Sequence, residues 1–557
     1  MAANVSPVLR ILKLVKSEGK EISAVYFFAI MNGLILLAIP IGIQSLVGFA
    51  LTNQASASII ILIVLVVLSV LLAGIMQVKQ MQIIEKIQQK IFVRYSFEIA
   101  RKLPAIKLSA VDNYYLPELT NRFFDVVTLQ KSLAKLLLDF PIAIIQILLG
   151  LLLLAFYHPV FIGFGLLLTI IIFGILYFSG TKGLEKSIEE STYKYKTAAW
   201  LQEMARAIWS VKFSRSSYFL LHKTDEHVTG YLTSRTEHFK ILLLQFKTMV
   251  VFKTIITTAM LVVGTFLLLK QQLNVGQFIA AEIVILTIIN SVEKLIARLD
   301  NVYDVLTSVD KIEQVIDKEV EIDGTIHLPD AVKGISINLK DVAFSYTSTA
   351  TPVLNNISFD AGAGEKICVS GNEGSGKSTL LRLLAGCYDD FNGSILLNGI
   401  PVKNYNLQSL RMKIGILISQ HDIVEGTLMD NLTMGLEDIN IEQLQKLCLI
   451  IGLTDYIATL KNGFDTVLTS AGRKLPNHAV KKILLVRALI NNPRLLLLEE
   501  PWSGLEEKYQ HQIKNFLLTS LKETTVVIVT NDNSFLEACD KNIVINKDGC
   551  TVHCLKK

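Results

Sequence analysis

Six stretches of apolar residues, each about the 20-residue length that crosses a bilayer, mark the first half of the chain: Ala24–Leu51, Ala57–Met76, Leu136–Tyr157, Val160–Ser179, Met249–Leu269 and Val275–Leu295. The segments between spans two and three, and between four and five, are long and keep helical periodicity. Each carries about ten Lys or Arg, among them Lys86, Arg94, Arg101, Arg122, Lys182, Arg206 and Lys240. In the other three loops Lys270 is the only basic residue. Positive charge stays inside, so both termini and both long loops are expected on the cytoplasmic side. These loops are predicted to continue the membrane helices, since 40 helical residues reach roughly 60 Å.

Beyond the charged stretch Asp310–Asp323 the pattern changes. Short β-rich runs at Ile335–Ser345, Glu365–Ser370, Leu495–Leu498 and Thr525–Thr530 alternate with helical segments, the arrangement of an α/β sheet. The chain is therefore read as an all-α six-helix transmembrane domain over 1–320, a linker over 321–334, and an α/β domain over 335–557. No internal repeat or low-complexity tract interrupts this division.

Composition changes the picture only in part. The net charge of +5 sits beside apolar spans, and no basic run with interleaved aromatics occurs, so a nucleic-acid partner is not expected. The polar, basic start, Met1 to about Ser23, precedes an apolar segment longer than a signal-peptide core, so the first span is expected to be retained. All six cysteines fall in the second half and form no CxxC pair. Cys550, His553 and Cys554 lack a second ligand pair at metal-site spacing. Free cytosolic thiols are the expectation.

The chemistry is carried by Gly371, Asn372, Glu373, Gly374, Ser375, Gly376, Lys377, Ser378 and Thr379. This run matches GxxxxGK[ST] between a strand-like EKICVS and a helix-like LLRLLAG, the context a phosphate loop needs. Glycines let the backbone wrap around phosphates, with N–H groups at a helix start facing the anion. Lys377 is expected to reach the β- and γ-phosphates of ATP, and the Ser378 hydroxyl to ligate Mg²⁺. The α/β domain is thus a P-loop NTPase.

From about Ile335 onward the chain resembles the nucleotide-binding domain of ATP-binding-cassette (ABC) proteins, and the six-span region resembles their exporter-type membrane domain. Within exporters, Gly230–Asp317 weakly resembles the translocators of type I secretion systems. The resemblance implies that Tyr346 stacks on adenine. It implies that Gln420 senses the metal, that Glu499 is the magnesium-side acid, and that Glu500 polarises the attacking water. Ser503, Gly504, Leu505 and Glu506 resemble the loop that crosses the dimer interface. Tyr115–Asn121 and Trp200–Val211 lie about where the family places its short coupling helices, although for Trp200 or Trp209 taken alone simple packing or interfacial anchoring is the favoured reading.

Three positions depart from the family pattern. The magnesium-side acid is Glu499 where Asp is usual. The signature LSGGQ reads Leu475-Pro476-Asn477-His478-Ala479. Pro476 removes a hydroxyl and an N–H, while Asn477 and His478 crowd a place built for glycine. The switch histidine is Asn531, which hydrogen-bonds but carries no positive charge. Losing one preorganised transition-state contact costs roughly 10²–10³ in rate, so slow turnover is expected.

With one phosphate loop and six spans, the chain is expected to work as half of a dimer in the lipid bilayer. A homodimer is favoured, and a heterodimer whose partner supplies an LSGGQ signature is the alternative. The expected activity is ATP-driven export of an unidentified substrate. A regulatory ATP-binding subunit with little hydrolysis remains the second reading, and an importer is disfavoured by the fused domains. Glu282, about seven residues into the sixth span, is expected either to line the translocation pathway or to hold a structural hydrogen bond. Lys253 is read as snorkelling to the interface.

Overall fold

A computed structural model describes residues 9–11, 16, 18–51, 56–329, 333–347, 351–418, 422–436, 438–472, 474–546 and 549–555. They form two compact units, Met1–Pro104 with Tyr114–Lys318, and Ala105–Asn113 with Glu319–Lys557.

The first unit is helical, and among the described residues it holds six helices long and apolar enough to cross a membrane. The first span is not continuous. Helix α1 (Gly19–Leu36) gives way at Leu37 to α2 (Ala38–Leu51), because Pro40 has no N–H for the carbonyl of Leu36. Helices α3 (Ser56–Lys102), α4 (Phe124–Tyr157), α5 (Val160–Arg206) and α6 (Tyr218–Leu269) follow. Of these, α3, α5 and α6 run 47, 47 and 52 residues, roughly 70–80 Å at helical rise, so they extend well past a bilayer. Helix α7 (Val275–Ala297) starts at a capping box, with Asn274 and Gln277 each accepting from the other's backbone N–H. Helix α8 (Leu299–Ile316) completes the unit.

Two apolar cores hold these helices together. Leu154, Phe161, Met260, Ala281 and Ile289 form one; Val25, Ile87, Ile91, Leu129, Val309 and Ile312 form the other. Several polar side chains inside the bundle are paired, which offsets the cost of burying them. Asp125 accepts from Lys194 Nζ at 2.9 Å and Tyr195 Oη at 2.7 Å, and Glu190 meets Arg235 at 3.1 Å and His238 at 2.8 Å.

The second unit contains an antiparallel sheet of β1 (Ile337–Phe344), β2 (Leu354–Ala361) and β4 (Asn392–Leu397), with β1 central and Ile400–Pro401 added at the β4 edge. Its larger sheet is built from β3 (Lys366–Ser370), β5 (Ile414–Leu417), β6 (Leu495–Glu499), β7 (Thr525–Val529), β8 (Lys541–Asn546) and β9 (Gly549–Cys554). Their order across the sheet is β9-β8-β3-β7-β6-β5. All neighbours are parallel except β8 and β9. Strands β3 and β7 are buried at every residue, as expected of a sheet covered on both faces. Helix α9 (Lys377–Leu384) follows β3, and α10 (Asn477–Ile490) precedes β6.

Three features differ from the expectations above. Residues 321–328 do not form a free linker: Arg411 grips Glu321 with two nitrogens at 2.6 and 2.7 Å, and Leu328 is in the core. The segment that folds with the nucleotide unit is Ala105–Asn113, upstream of the expected coupling position at Tyr115–Asn121. Lys107 reaches Asp389 at 2.7 Å and Asp390 at 2.8 Å. Finally, Cys368 and Cys539, both fully buried, are joined as a disulfide, which corrects the expectation of free thiols there. Cys387, Cys448, Cys550 and Cys554 are free, and no group of metal-ligating side chains gathers among the described residues.

Candidate functional site

The site begins where β3 ends. Strand β3 delivers the chain to Gly371, which takes φ +143°, and the loop closes at Gly376, which takes φ +91° as it enters α9. A side chain at Gly376 would strike Leu354 at 2.5 Å and the Val353 carbonyl at 2.8 Å, so the position demands glycine for space as well as for φ. The crest, Asn372 to Gly374, is exposed. Lys377 Nζ folds back on the carbonyls of Gly371 (2.8 Å) and Asn372 (2.7 Å). Ser375 Oγ is buried with no partner among the described residues, an orphaned hydroxyl that a phosphate oxygen would satisfy. The loop therefore fits a nucleotide's phosphate tail.

The parallel register then brings the acids in. Strand β6 lies one strand from β3 across β7 and ends at Glu499. The Ser378 hydroxyl donates to Glu499 Oε1 at 2.5 Å, so the two side chains expected on magnesium converge from different elements. Glu500, one residue further, is left-handed at φ +43°. Its N–H donates to the Val529 carbonyl at 2.9 Å, and its Oε2 accepts from Thr530 Oγ1 at 3.4 Å.

The remaining expected residues are more scattered. The Tyr346 ring packs edge-on against Phe344 and Tyr388, and its hydroxyl lies 2.9 Å from Thr379 Oγ1 and 3.2 Å from Arg382. Tyr346 is thus tied by its hydroxyl to the helix that follows the phosphate loop. Asn531 is exposed at the end of β7. The degenerate signature forms the start of α10: Pro476 sits at the N-cap with no side-chain cap, and Asn477 and His478 are exposed. Gln420 lies outside the described residues.

Two residues at the site carry no motif. Thr530 is fully buried beside Glu500. Lys481, in the second turn of α10, donates to the carbonyls of Glu500 and Ser503, each at 2.9 Å. Burial pushes its ammonium pKa down, while the Glu500 and Glu499 carboxylates pull it up. Thr530 was visible only as the last residue of a strand, and the approach of Lys481 comes from tertiary packing that no local pattern encodes.

This neighbourhood of phosphate loop and acid-tipped strands is that of a P-loop nucleotide-binding domain, here on a chain that also carries six membrane helices. Family models agree for both parts: the ABC transporter transmembrane region matches residues 22–292, and the ABC transporter domain matches residues 354–503. The chain belongs to the ABC transporter family, and it carries that family's membrane region and its nucleotide-binding domain.

Among curated proteins it is 27% identical over 351 residues to the alpha-hemolysin translocation ATP-binding protein HlyB of Escherichia coli O157:H7, covering 62% of this chain and 49% of that one. The leukotoxin translocation ATP-binding protein LktB of Mannheimia haemolytica is 27% identical over 354 residues, covering 63% and 49%. The chain thus spans about half the length of the curated relatives it matches. The solved structure of a bacterial Atm1-family ABC exporter with ATP bound superposes with a TM-score of 0.83 at 17% identity, over 97% of this chain and 95% of that one. The likeness lies in the fold.

Proposed function

We propose that this chain is one half of a dimeric exporter driven by slow ATP hydrolysis. The observation that carries this reading is the convergence of the phosphate loop, the Ser378–Glu499 pair at 2.5 Å and Glu500 on a chain with six membrane helices. Lys377 and the loop amides would hold the phosphates, and Tyr346 the adenine. Ser378 and Glu499 would hold magnesium, with Gln420 completing that set. The metal, when bound, supplies positive charge to the phosphate oxygens. Glu500 orients a water whose oxygen bonds to the γ-phosphorus as the bond to the ADP oxygen breaks. ADP keeps the electron pair, and the water's proton passes to Glu500 and on to the products.

The dimer is supported by an aromatic tip on the short helix Ile208–Lys212 and the residue after it, where Trp209 and Phe213 are 73% and 79% exposed. Such a surface calls for a partner, and a second copy of this chain is the one we favour. Slow turnover is supported by Pro476, Asn477 and His478 at the helix start that would face the partner's γ-phosphate, and by Asn531. Two relatives are named for translocating alpha-hemolysin and leukotoxin, so toxin-like polypeptides are the first cargo class to test.

The direct test uses the full chain in lipid nanodiscs with MgATP. Binding should weaken at least tenfold in Lys377→Ala, and slow phosphate release should vanish in Glu500→Gln. Wild-type protein that binds MgATP but releases phosphate no faster than Glu500→Gln would instead favour a regulatory subunit.

A further inference from the structure

The arrangement around Glu500 assigns a task to Lys481. A non-glycine residue in the left-handed region is strained and persists only where its surroundings over-determine it. For Glu500, at φ +43°, the backbone is held on both sides. Its N–H is fixed to Val529 at 2.9 Å, and its carbonyl accepts from the Ser503 N–H at 3.3 Å and from Lys481 Nζ at 2.9 Å. Of these partners Lys481 is the one that comes from a helix, and it reaches past Glu500 to bridge the Ser503 carbonyl as well, at 2.9 Å. It is a half-buried ammonium whose hydrogen bonds among the described residues go to two carbonyls, a costly use of charge unless the geometry it enforces matters.

We infer that Lys481 is a positioning residue for ATP hydrolysis, an ammonium clamp that holds the Glu500–Ser503 turn so that the Glu500 carboxylate meets the attacking water. The inference rests on the proposed hydrolytic function. The clamp also ties the acid to α10, the helix that begins at the degenerate signature, so movement at that helix start reaches Glu500 through a single side chain. Among the described residues the hydrogen bonds of Lys481 go only to backbone carbonyls, so its removal breaks no hydrogen bond of the phosphate loop or of the Ser378–Glu499 pair.

The test compares wild type, Lys481→Met and Lys481→Arg as full-length protein in nanodiscs, reading kcat, KM, MgATP affinity and melting temperature. A displacement of the acid by about 1 Å lowers kcat on the order of 10²-fold. Lys481→Met is expected to show that loss with MgATP affinity within about twofold of wild type, and Lys481→Arg, which retains a cationic donor, to recover most of the rate. Lys481→Gln keeps a donor amide, so it serves where the Met variant does not fold and is expected to fall between the two. Wild-type kcat in both Lys481→Met and Lys481→Gln overturns the inference while leaving the proposed function standing. So does a loss carried entirely by melting temperature or MgATP affinity. Wild-type protein that hydrolyses no ATP overturns both.

Discussion

The Tyr388 hydroxyl donates to Asp112 Oδ1 at 2.9 Å, and so a segment lying between two membrane helices in the sequence is fastened to the nucleotide-binding unit. The same tyrosine ring stands edge-on to Tyr346, with centroids 5.6 Å apart. A single aromatic ring, that of Tyr388, therefore separates Asp112 from the residue expected to stack on adenine. Burial and the hydrogen bond to Asp112 both push the Tyr388 phenol upward in pKa, so it stays a neutral donor throughout the physiological range.

Tyr388→Phe removes this hydrogen bond but keeps the ring stack. It is expected to lower stability by about 1 kcal/mol, read as a fall in melting temperature. Asp112→Asn in the same background should add little further loss, because the partner is already gone. Additive losses in a double-mutant cycle would show that the two residues act separately.

Restoring Ser-Gly-Gly at Pro476, Asn477 and His478 returns a hydroxyl and an N–H to the start of α10. ATP turnover is expected to rise about tenfold or more, since a recovered transition-state contact is worth up to 10²–10³. Adding Asn531→His should raise it again, though by less than a multiplied factor. Turnover unchanged in both variants would mean that these positions do not limit hydrolysis.

Asp532 caps the turn after β7. Burial alone would raise its pKa, but Lys514 at 2.6 Å and the Ser534 hydroxyl at 2.5 Å hold its carboxyl down at about 2. The group is depressed below its ordinary value of 3.8, so its stabilisation is fully present above that value and is lost as the pH falls through about 2. Asp532→Asn should accordingly melt lower than wild type at neutral pH. The gap should narrow on acidification from about pH 4 downward, and a constant gap would refute the linkage.

Glu282 is half-buried in α7, and its Oε2 has no hydrogen-bond partner among the described residues. An unsatisfied carboxyl within a membrane span is costly. If it faces the transported molecule, Glu282→Gln should abolish substrate stimulation of the ATPase while leaving the basal rate within about twofold. Transport and stimulation equal to wild type would assign Glu282 a structural role.

The parts legible in the sequence were those encoded by contiguous residues. Gly371–Thr379 needs only its own nine residues between a strand and a helix, and each span declares itself by apolar length, so both could be read without coordinates. What escaped depended on distant residues meeting. Lys481 and Glu500 are neighbours only because α10 packs beside the end of β6, and Cys368 meets Cys539 across 171 residues of sequence. That Ala105–Asn113 groups with the nucleotide-binding residues also escaped, because helical periodicity does not say which distant segment a turn packs with. The break at Leu37 was legible in principle, since Pro40 lies in the first span, but an apolar tally weighs proline no differently from its neighbours.

The bare rings of Trp209 and Phe213 bear on the life of the chain before it ever transports anything. A freshly made copy without its companion presents sticky aromatics to the cytosol, the kind of surface that quality-control chaperones and proteases recognise as unfinished. If the proposed dimer covers these rings, unpaired copies are the ones removed, and the abundance of this protein should track how quickly two copies find each other.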